Sequence, residues 1–392
     1  MTQRKLKAIA GIVAVVMAVA PLPVCGAPQE APPNVGSLPA SYAVTEIVPL
    51  PGDGGVEPKA INDRGDVVGE DITLQGVKDN FGHVLNYPHA FLWRNGVMTA
   101  PLSHSKTVTS YATAINNRGD ILGDMEPINP AFGVFFKPVL LRDGRVYRLA
   151  PFYWHGSAET GTLDDQGRVL GTTSLLGDSL NGQDCFWQVG AGKPTLLQTR
   201  KGGPGGVYPG RTVLTRGHTV DTESSTLALF LYDHGRQRQI NPAPGFPRTS
   251  SLALNRRGDL LIAASDSDWY QASFDHTFLW SAGVLKSLPK LDYHVRREVA
   301  GVSDMNNALV AVGTLVVPAD TPAHVAPAPY AFRFNCRTED FVNLNTLLPA
   351  SSGWTLDSAV GINEKGQIVG IGHHQGQKSA FVLTPLAARP VF

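Results

Sequence analysis

The sequence is poor in the residue types that usually betray chemistry. Among 392 residues only three are cysteine, Cys25, Cys185 and Cys336, too few for a disulfide framework. Neither charge sign is in excess, with 33 basic and 33 acidic residues. The basic residues are also unclustered, which removes the electrostatic footprint of a nucleic-acid or anionic-membrane partner. The apolar run from Ala8 to Ala20 is too short to cross a bilayer. Nucleophile elbows, phosphate loops and metal-ligand spacings are missing. The expectation is therefore no cofactor, no metal, no membrane span and no catalytic residue to name.

The amino terminus does carry a signal. Arg4, Lys5 and Lys7 precede the apolar run, and Pro21 and Pro23 follow it, the order of a secretory signal segment. Cleavage after Gly26 fits the small-residue rule, and cleavage after Ala27 is the alternative. The reading is a signal segment over 1–27, a proline-rich linker over 28–40, a repeat domain over 41–385 and a tail over 386–392. Leu22-Pro23-Val24-Cys25 faintly follows a bacterial lipobox, but Val24 is too large beside the cysteine, so lipid anchoring at Cys25 is not expected. The destination is secreted or periplasmic.

One phrase recurs along the chain. Ala60-Ile-Asn-Asp-Arg-Gly-Asp-Val-Val-Gly69, Ala114-Ile-Asn-Asn-Arg-Gly-Asp-Ile-Leu-Gly123 and Gly361-Ile-Asn-Glu-Lys-Gly-Gln-Ile-Val-Gly370 are the strong copies. Looser ones begin at Thr162, Leu214, Leu254 and Met305. The turn residues Gly65, Gly119, Gly167, Gly217, Gly258, Ala308 and Gly366 are spaced by roughly 50 residues, a period of kelch-like units. Each phrase reads as a strand, an Asn-x-x-Gly turn that needs positive φ, and a second strand. A second phrase follows, as in His89-Ala-Phe-Leu-Trp93, Thr277-Phe-Leu-Trp280 and Tyr330-Ala-Phe-Arg-Phe334, and signals another hairpin.

Each unit thus holds four strands, a to d. The expected fold is all-β, a single β-propeller of seven four-stranded blades. Small residues such as Ala60, Ala112, Ala114, Gly161, Ala253 and Ala359 suit the crowded inner strand a, and the Phe and Trp of strand c suit packing between blades. The last repeat stops after strand c. The missing strand is Tyr42 to Leu50, which is expected to complete the last blade and close the ring. Cys185 and Cys336 then fall in distant repeats and stay unpaired.

These residues resemble the HAF family of extracellular repeat proteins, named for the His-Ala-Phe standing here at His89, Ala90 and Phe91. Val342-Asn-Leu-Asn-Thr-Leu-Leu and Ser352-Gly-Trp-Thr-Leu extend the resemblance, which covers nearly all of 42–385. Repeats three and four depart from the pattern: Cys185-Phe186-Trp187 stands for Phe-Leu-Trp, and Leu214-Thr215 for Ile-Asn. The resemblance implies an exported repeat protein without an agreed catalytic activity.

With tight a–b and c–d turns, the long b–c and d–a connections share the opposite face, where binding residues concentrate. Two stretches there combine flat rings with polar groups: Tyr153, Trp154 and His155, and Asp266, Asp268, Trp269 and Tyr270. They are the ligand-binding candidates, for a glycan or a protein. The plainer alternative is that the rings pack the loops onto the blades. Glu70, Asp71, Asp124 and Glu126 could hold a cation or serve as acid and base, although carboxylates are ordinary at strand ends. Arg-Gly-Asp at 64–66, 118–120 and 257–259 reads as turn chemistry whose charged neighbours face water, and His373 and His374 read as solvent-exposed. The functional expectation is an exported, non-catalytic, monomeric binding or scaffolding module. The rival is a polysaccharide-active hydrolase or lyase with carboxylates at the central opening.

Overall fold

A computed structural model describes residues 39, 41–73, 77–78, 84–85, 87–103, 108–127, 137–151, 156–175, 183–191, 193–196, 204–208, 212–218, 227–233, 236–240, 246, 248–265, 276–288, 301–316 and 329–386. Apart from two short 3-10 turns, Leu344–Leu347 and Ala350–Ser352, the described elements are strands. The fold is an all-β propeller.

Six four-stranded antiparallel sheets open on the repeated turn or a variant of it. In the first, Asp53–Ile61, Val67–Thr73, Pro88–Arg94 and Val97–Thr99 lie in that order. The second uses Val108–Ile115, Ile121–Pro127, Pro138–Arg142 and Arg145–Arg148. Gly156–Leu163, Arg168–Leu175, Gln183–Gln188 and Thr195–Leu196 make the third. Two more are built from Arg248–Leu254, Leu260–Ser265, His276–Ser281 and Val284–Leu288, and from Gly301–Met305, Val310–Val316, Pro329–Asn335 and Phe341–Asn343. The last takes Trp354–Ile362, Ile368–His374 and Gln377–Pro385 from the carboxyl end. Its fourth strand is Tyr42–Ile47, paired antiparallel with Gln377–Pro385 from Tyr42 opposite Pro385 to Ile47 opposite Ala380. The chain end thus closes on its beginning, with a strand three residues shorter than the 42–50 expected.

Between the third and fourth turn-bearing sheets stand Pro204–Tyr208, Thr212–His218, Leu227–Asp233 and Arg236–Ile240, also a four-stranded sheet. Here the expected repeat fails. Gly217 is not a turn residue but lies inside Thr212–His218, opposite Ala228. The Leu214 phrase is an interior strand.

Another reassignment falls in the Met305 repeat. The left-handed position belongs to Leu309, φ 63°, rather than to Ala308. Leu309 is buried in an apolar cluster with Met305, Phe334 and Cys336, which offsets the roughly 1 kcal/mol that a side chain costs in that conformation. Glycine holds the same corner at Gly65, φ 90°.

Strand a of these sheets is bulged, for example between Ala112 and Ala114 and between Pro58 and Ala60. The bulge explains the glycine that ends each strong phrase. A Cβ on Gly123 would overlap the Tyr111 carbonyl oxygen, and one on Gly69 that of Glu57. Apolar clusters lie between sheets. Phe91 and Trp93 of the first pack with Val369, Ala380 and Val382 of the last, and Phe332 packs with Leu261 and Leu279. The bulky strand-c residues do fill inter-blade space, each worth roughly 1.5–3 kcal/mol when fully buried.

Cys185 and Cys336 are both buried, and neither forms a disulfide. Burial pushes the Cys336 thiol up to about 12.

Candidate functional site at the centre of the ring

Each a–b turn is organised by one side chain. Asn62 Oδ1 accepts the amides of Arg64 and Asp66, each at 3.0 Å. Its Nδ2 donates to Asp66 Oδ2 at 3.1 Å and, across the gap between sheets, to the Asn116 carbonyl at 3.0 Å. Asn116 repeats the arrangement toward the Asp164 carbonyl at 2.9 Å. Asn255 donates to the Asn306 carbonyl, Asn306 to that of Asn363, and Asn363 to that of Asn62. Asp164 takes the asparagine's place in the third sheet and has no amide to donate.

The residue after each of these forms an inner ring. Asp63 N donates to Asn117 Oδ1 at 2.9 Å, and Asn117 N to Asp165 Oδ1 at 2.7 Å. Asn307 N donates to Glu364 Oε2 at 3.1 Å, and Glu364 N to Asp63 Oδ1 at 3.0 Å. Asn117 Nδ2 also bridges the Asp63 and Asp165 carboxylates, at 2.8 and 3.0 Å. Arg256 reaches across this ring to pair with Asp63.

Behind the ring lies an open cavity of about 320 Å³ lined by the inner strands. Ala60, Ala114, Gly161, Ala253 and Gly361 leave it open, and Thr113, Thr162 and Ser303 add hydroxyls. Ala112 and Ala359 lie on strand a as expected and pack between sheets. The ionisable lining comprises Asp63, Asp165, Asp304 and Glu364 against Lys59 and Arg256. Burial pushes the Glu364 carboxyl above its ordinary range; Asp63 and Asp304 add to that, while the Asn307 amide and Arg256 oppose it. Ion pairs with Glu70 at 2.6 Å and Glu57 at 3.4 Å hold Lys59.

The turn aspartates do not face water. Asp66, Asp120 and Asp259 are only 3, 3 and 4% exposed. Asp66 accepts from Arg64 and Arg94, and Asp120 from Arg142 at 2.6 Å. Asp259 accepts from Arg257 and Ser281. The three Arg-Gly-Asp triplets are thus turn staples, and their carboxylates are not presented for adhesion.

Among the described residues the carboxylates beside strand b form no metal-holding cluster, although Glu70 and Asp124 both act on Tyr111. Asp71 accepts the Leu50 amide at 2.8 Å, Glu70 binds Lys59, and Glu126 binds Lys137 at 2.9 Å. Of the two histidines expected to be exposed, His373 is, and His374 is half-buried. His373 pairs with Asp357 at 2.8 Å, while His374 stacks on Trp354, rings 4.8 Å apart, and bonds Glu46 at 2.9 Å. Tyr153, Trp154, His155, Asp266, Asp268, Trp269 and Tyr270 all lie outside the described residues.

What sequence reading missed was the inner ring of Asp63, Asn117, Asp165, Arg256, Asn307 and Glu364. The signal was present: each immediately follows the turn-organising residue, and all six are polar.

No protein-family model matches the chain, and no curated protein matches its sequence. Solved structures do resemble it in shape. The acylaminoacyl peptidase of Pyrococcus horikoshii aligns with TM-score 0.51 and 10% identity, over 81% of this chain and 49% of that one. At that identity the likeness speaks to the fold alone, and this chain matches about half of the peptidase's length. The β-propeller domain of the Trilobed protease from Pyrococcus furiosus gives 0.47 at 7% identity, covering 86% of this chain and 99% of that one. The oligogalacturonate lyase of Vibrio parahaemolyticus gives 0.46 at 10%, covering 88% and 98%.

Proposed function

We propose that this chain is an exported, non-catalytic binding or scaffolding module of the cell envelope or extracellular space. Its long b–c and d–a connections meet a glycan or a protein. One observation carries the reading: in the sheets a–b and c–d links are tight turns, such as Asn62 to Asp66 and Asn95-Gly96, whereas b–c links run from Thr73 to Pro88, Pro127 to Pro138 and Ser265 to His276. Antiparallel order then sends the long links to one face. The inner-ring carboxylates also favour a scaffold, because Asp63, Asp165 and Glu364 accept neighbouring backbone amides.

The same proposal includes a ring of seven blades, with Pro204–Ile240 as the fourth, membership of the HAF repeat family, and removal of the signal segment after Gly26. Amino-terminal sequencing of the exported protein tests the last point; a start at Ala27 is expected. The ligand face is tested by glycan-array and purified-envelope binding of the full mature chain and of Trp154→Ala and Trp269→Ala. A loss of at least about tenfold in either variant is expected for hot-spot aromatics. A folded protein that binds no glycan and no envelope component overturns the reading.

The rival, hydrolysis or lysis of a polysaccharide, draws on Asp63, Asp165, Asp304 and Glu364 lining the central cavity. It predicts release of reducing or unsaturated ends from polysaccharide, abolished by Asp304→Asn.

A further inference from the structure

We propose that the central cavity is itself a ligand site, for a small ammonium-bearing polyol of the amino-sugar class. This deepens the glycan reading above, on which it rests, by naming a sugar chemistry and a place distinct from the long-loop aromatics.

Size comes first. A cavity of about 320 Å³ stands at the small end of ligand pockets, suited to one or two sugar rings rather than a folded partner. It exists because five small residues occupy inner-strand positions: Ala60, Ala114, Gly161, Ala253 and Gly361. A Cβ on Gly361 would meet only ordinary contacts, 3.4 Å from Ile61 and Val369, so backbone clearance alone does not demand the space.

Polarity comes second. The walls carry the exposed hydroxyl residues Thr113 and Ser303, which a hydroxylated ligand can meet.

Charge decides the class. Four carboxylates, Asp63, Asp165, Asp304 and Glu364, line the cavity against Lys59 and Arg256. Both cations are already engaged, Arg256 with Asp63 and Lys59 with Glu70 and Glu57. The lining therefore keeps an excess of negative charge, which opposes a uronic acid or a phosphate and favours an ammonium group. Burial first, and then the neighbouring Asp63 and Asp304, raise the proton affinity of Glu364.

The experiment is titration of the mature protein with glucosamine, glucose and galacturonate, by calorimetry and saturation-transfer NMR, up to about 50 mM. Glucosamine is expected to bind one-to-one, at least about tenfold tighter than either of the others. Thr113→Phe, at an exposed wall position, should fill the cavity and abolish binding. Glu364→Gln should weaken glucosamine about tenfold and leave glucose unchanged. Binding should strengthen as pH rises from 4 to 7, because Glu364, facing Asp63, Asp304 and Arg256, loses its proton. Equal binding of all three sugars, binding that survives Thr113→Phe, or no binding overturns the proposal. Thermal melts establish that each variant is folded. The Trp154→Ala and Trp269→Ala variants separate the two readings: cavity binding unchanged in them, with array binding lost, supports both. Array binding without glucosamine binding overturns this inference alone.

Discussion

Asn363 donates its side-chain amide to the backbone carbonyl of Asn62, 2.9 Å away, joining residues 301 positions apart in the chain. The same bond is made at four other seams, so ring closure uses the grammar of those internal joints. The pairing of Tyr42–Ile47 with Gln377–Pro385 adds a second, independent closure. Together they make the ring's integrity a matter of a few named groups.

Asn62, like its counterparts, serves both its own turn and the neighbouring sheet. Asn62→Ala removes four hydrogen bonds and should cost about 3–4 kcal/mol, taking each as about 1 kcal/mol. Asn62→Asp keeps both acceptor bonds and loses the donated ones, and should cost about 1–3 kcal/mol. Urea unfolding of both variants checks the order; equal stability would falsify the relay as a source of cohesion.

Replacing Gly123 by alanine should destabilise the protein by about 2–4 kcal/mol, since the new Cβ meets the Tyr111 carbonyl and the backbone must move. Gly96→Ala is the control. Its φ is 83° but its surroundings are open, so only the left-handed strain of about 1–2 kcal/mol remains. Thermal unfolding should separate the two by several degrees.

Arg333 is 5% exposed, and its Nη1 donates to the Pro39 carbonyl at 2.9 Å and Tyr42 Oη at 3.2 Å. Its Nε has no partner. A buried cation so sparsely satisfied contributes little net stability. Arg333→Met should therefore change stability by no more than about 1 kcal/mol, whereas Tyr42→Phe, which strips a partner from the retained charge, should cost about 1–3 kcal/mol. A larger loss in Arg333→Met than in Tyr42→Phe contradicts this ranking.

Burial alone would raise the Asp66 and Asp120 carboxyls, but hydrogen bonds from Arg94, Asn62 and Arg64, and from Arg142 and Asn116, hold both below the ordinary range. A carboxylate depressed in the folded state contributes stability above its unfolded pKa of about 3.9 and loses it as pH falls toward the folded value. Stability should thus decline from roughly pH 5 downward. The decline should be shallower in an Arg94→Met, Arg142→Met double variant. An unchanged slope would show that these pairs do not drive acid unfolding.

With its thiol pushed up to about 12 by burial, Cys336 should resist iodoacetamide at pH 8 while the protein is folded and react on denaturation. Mass spectrometry of native and urea-treated samples reads this directly. Rapid native labelling contradicts the burial.

The architecture was legible because the hairpin is written twice per unit, by Asn-x-x-Gly and by the aromatic strand c. The closing strand was legible because the last unit ends one strand short. What escaped was context. Leu309 takes the left-handed corner only because its side chain fills an apolar cluster, and no local rule announces that. Gly217 carried turn chemistry in its neighbours but sits in a strand. Asp66 and Asp120 looked like water-facing turn residues because their arginine partners at 94 and 142 lie a whole strand pair away. The inner ring was hidden for a similar reason: the position after the asparagine is unremarkable in a single hairpin, and becomes the axis only when hairpins are arranged in a circle.

Asp164, standing where its counterparts are asparagines, accepts the bond from Asn116 but hands none onward. The acceptor at every seam is a main-chain carbonyl, which any residue possesses, whereas the donor is one particular amide. A unit that loses its asparagine therefore breaks only the joint ahead of it and leaves the joint behind intact. Damage in such an array is confined to one side of the altered copy. An array built this way tolerates a single altered member, and around Pro204–Ile240 the variant sheet stands just after Asp164, the one turn among those described that donates no side-chain amide across its seam.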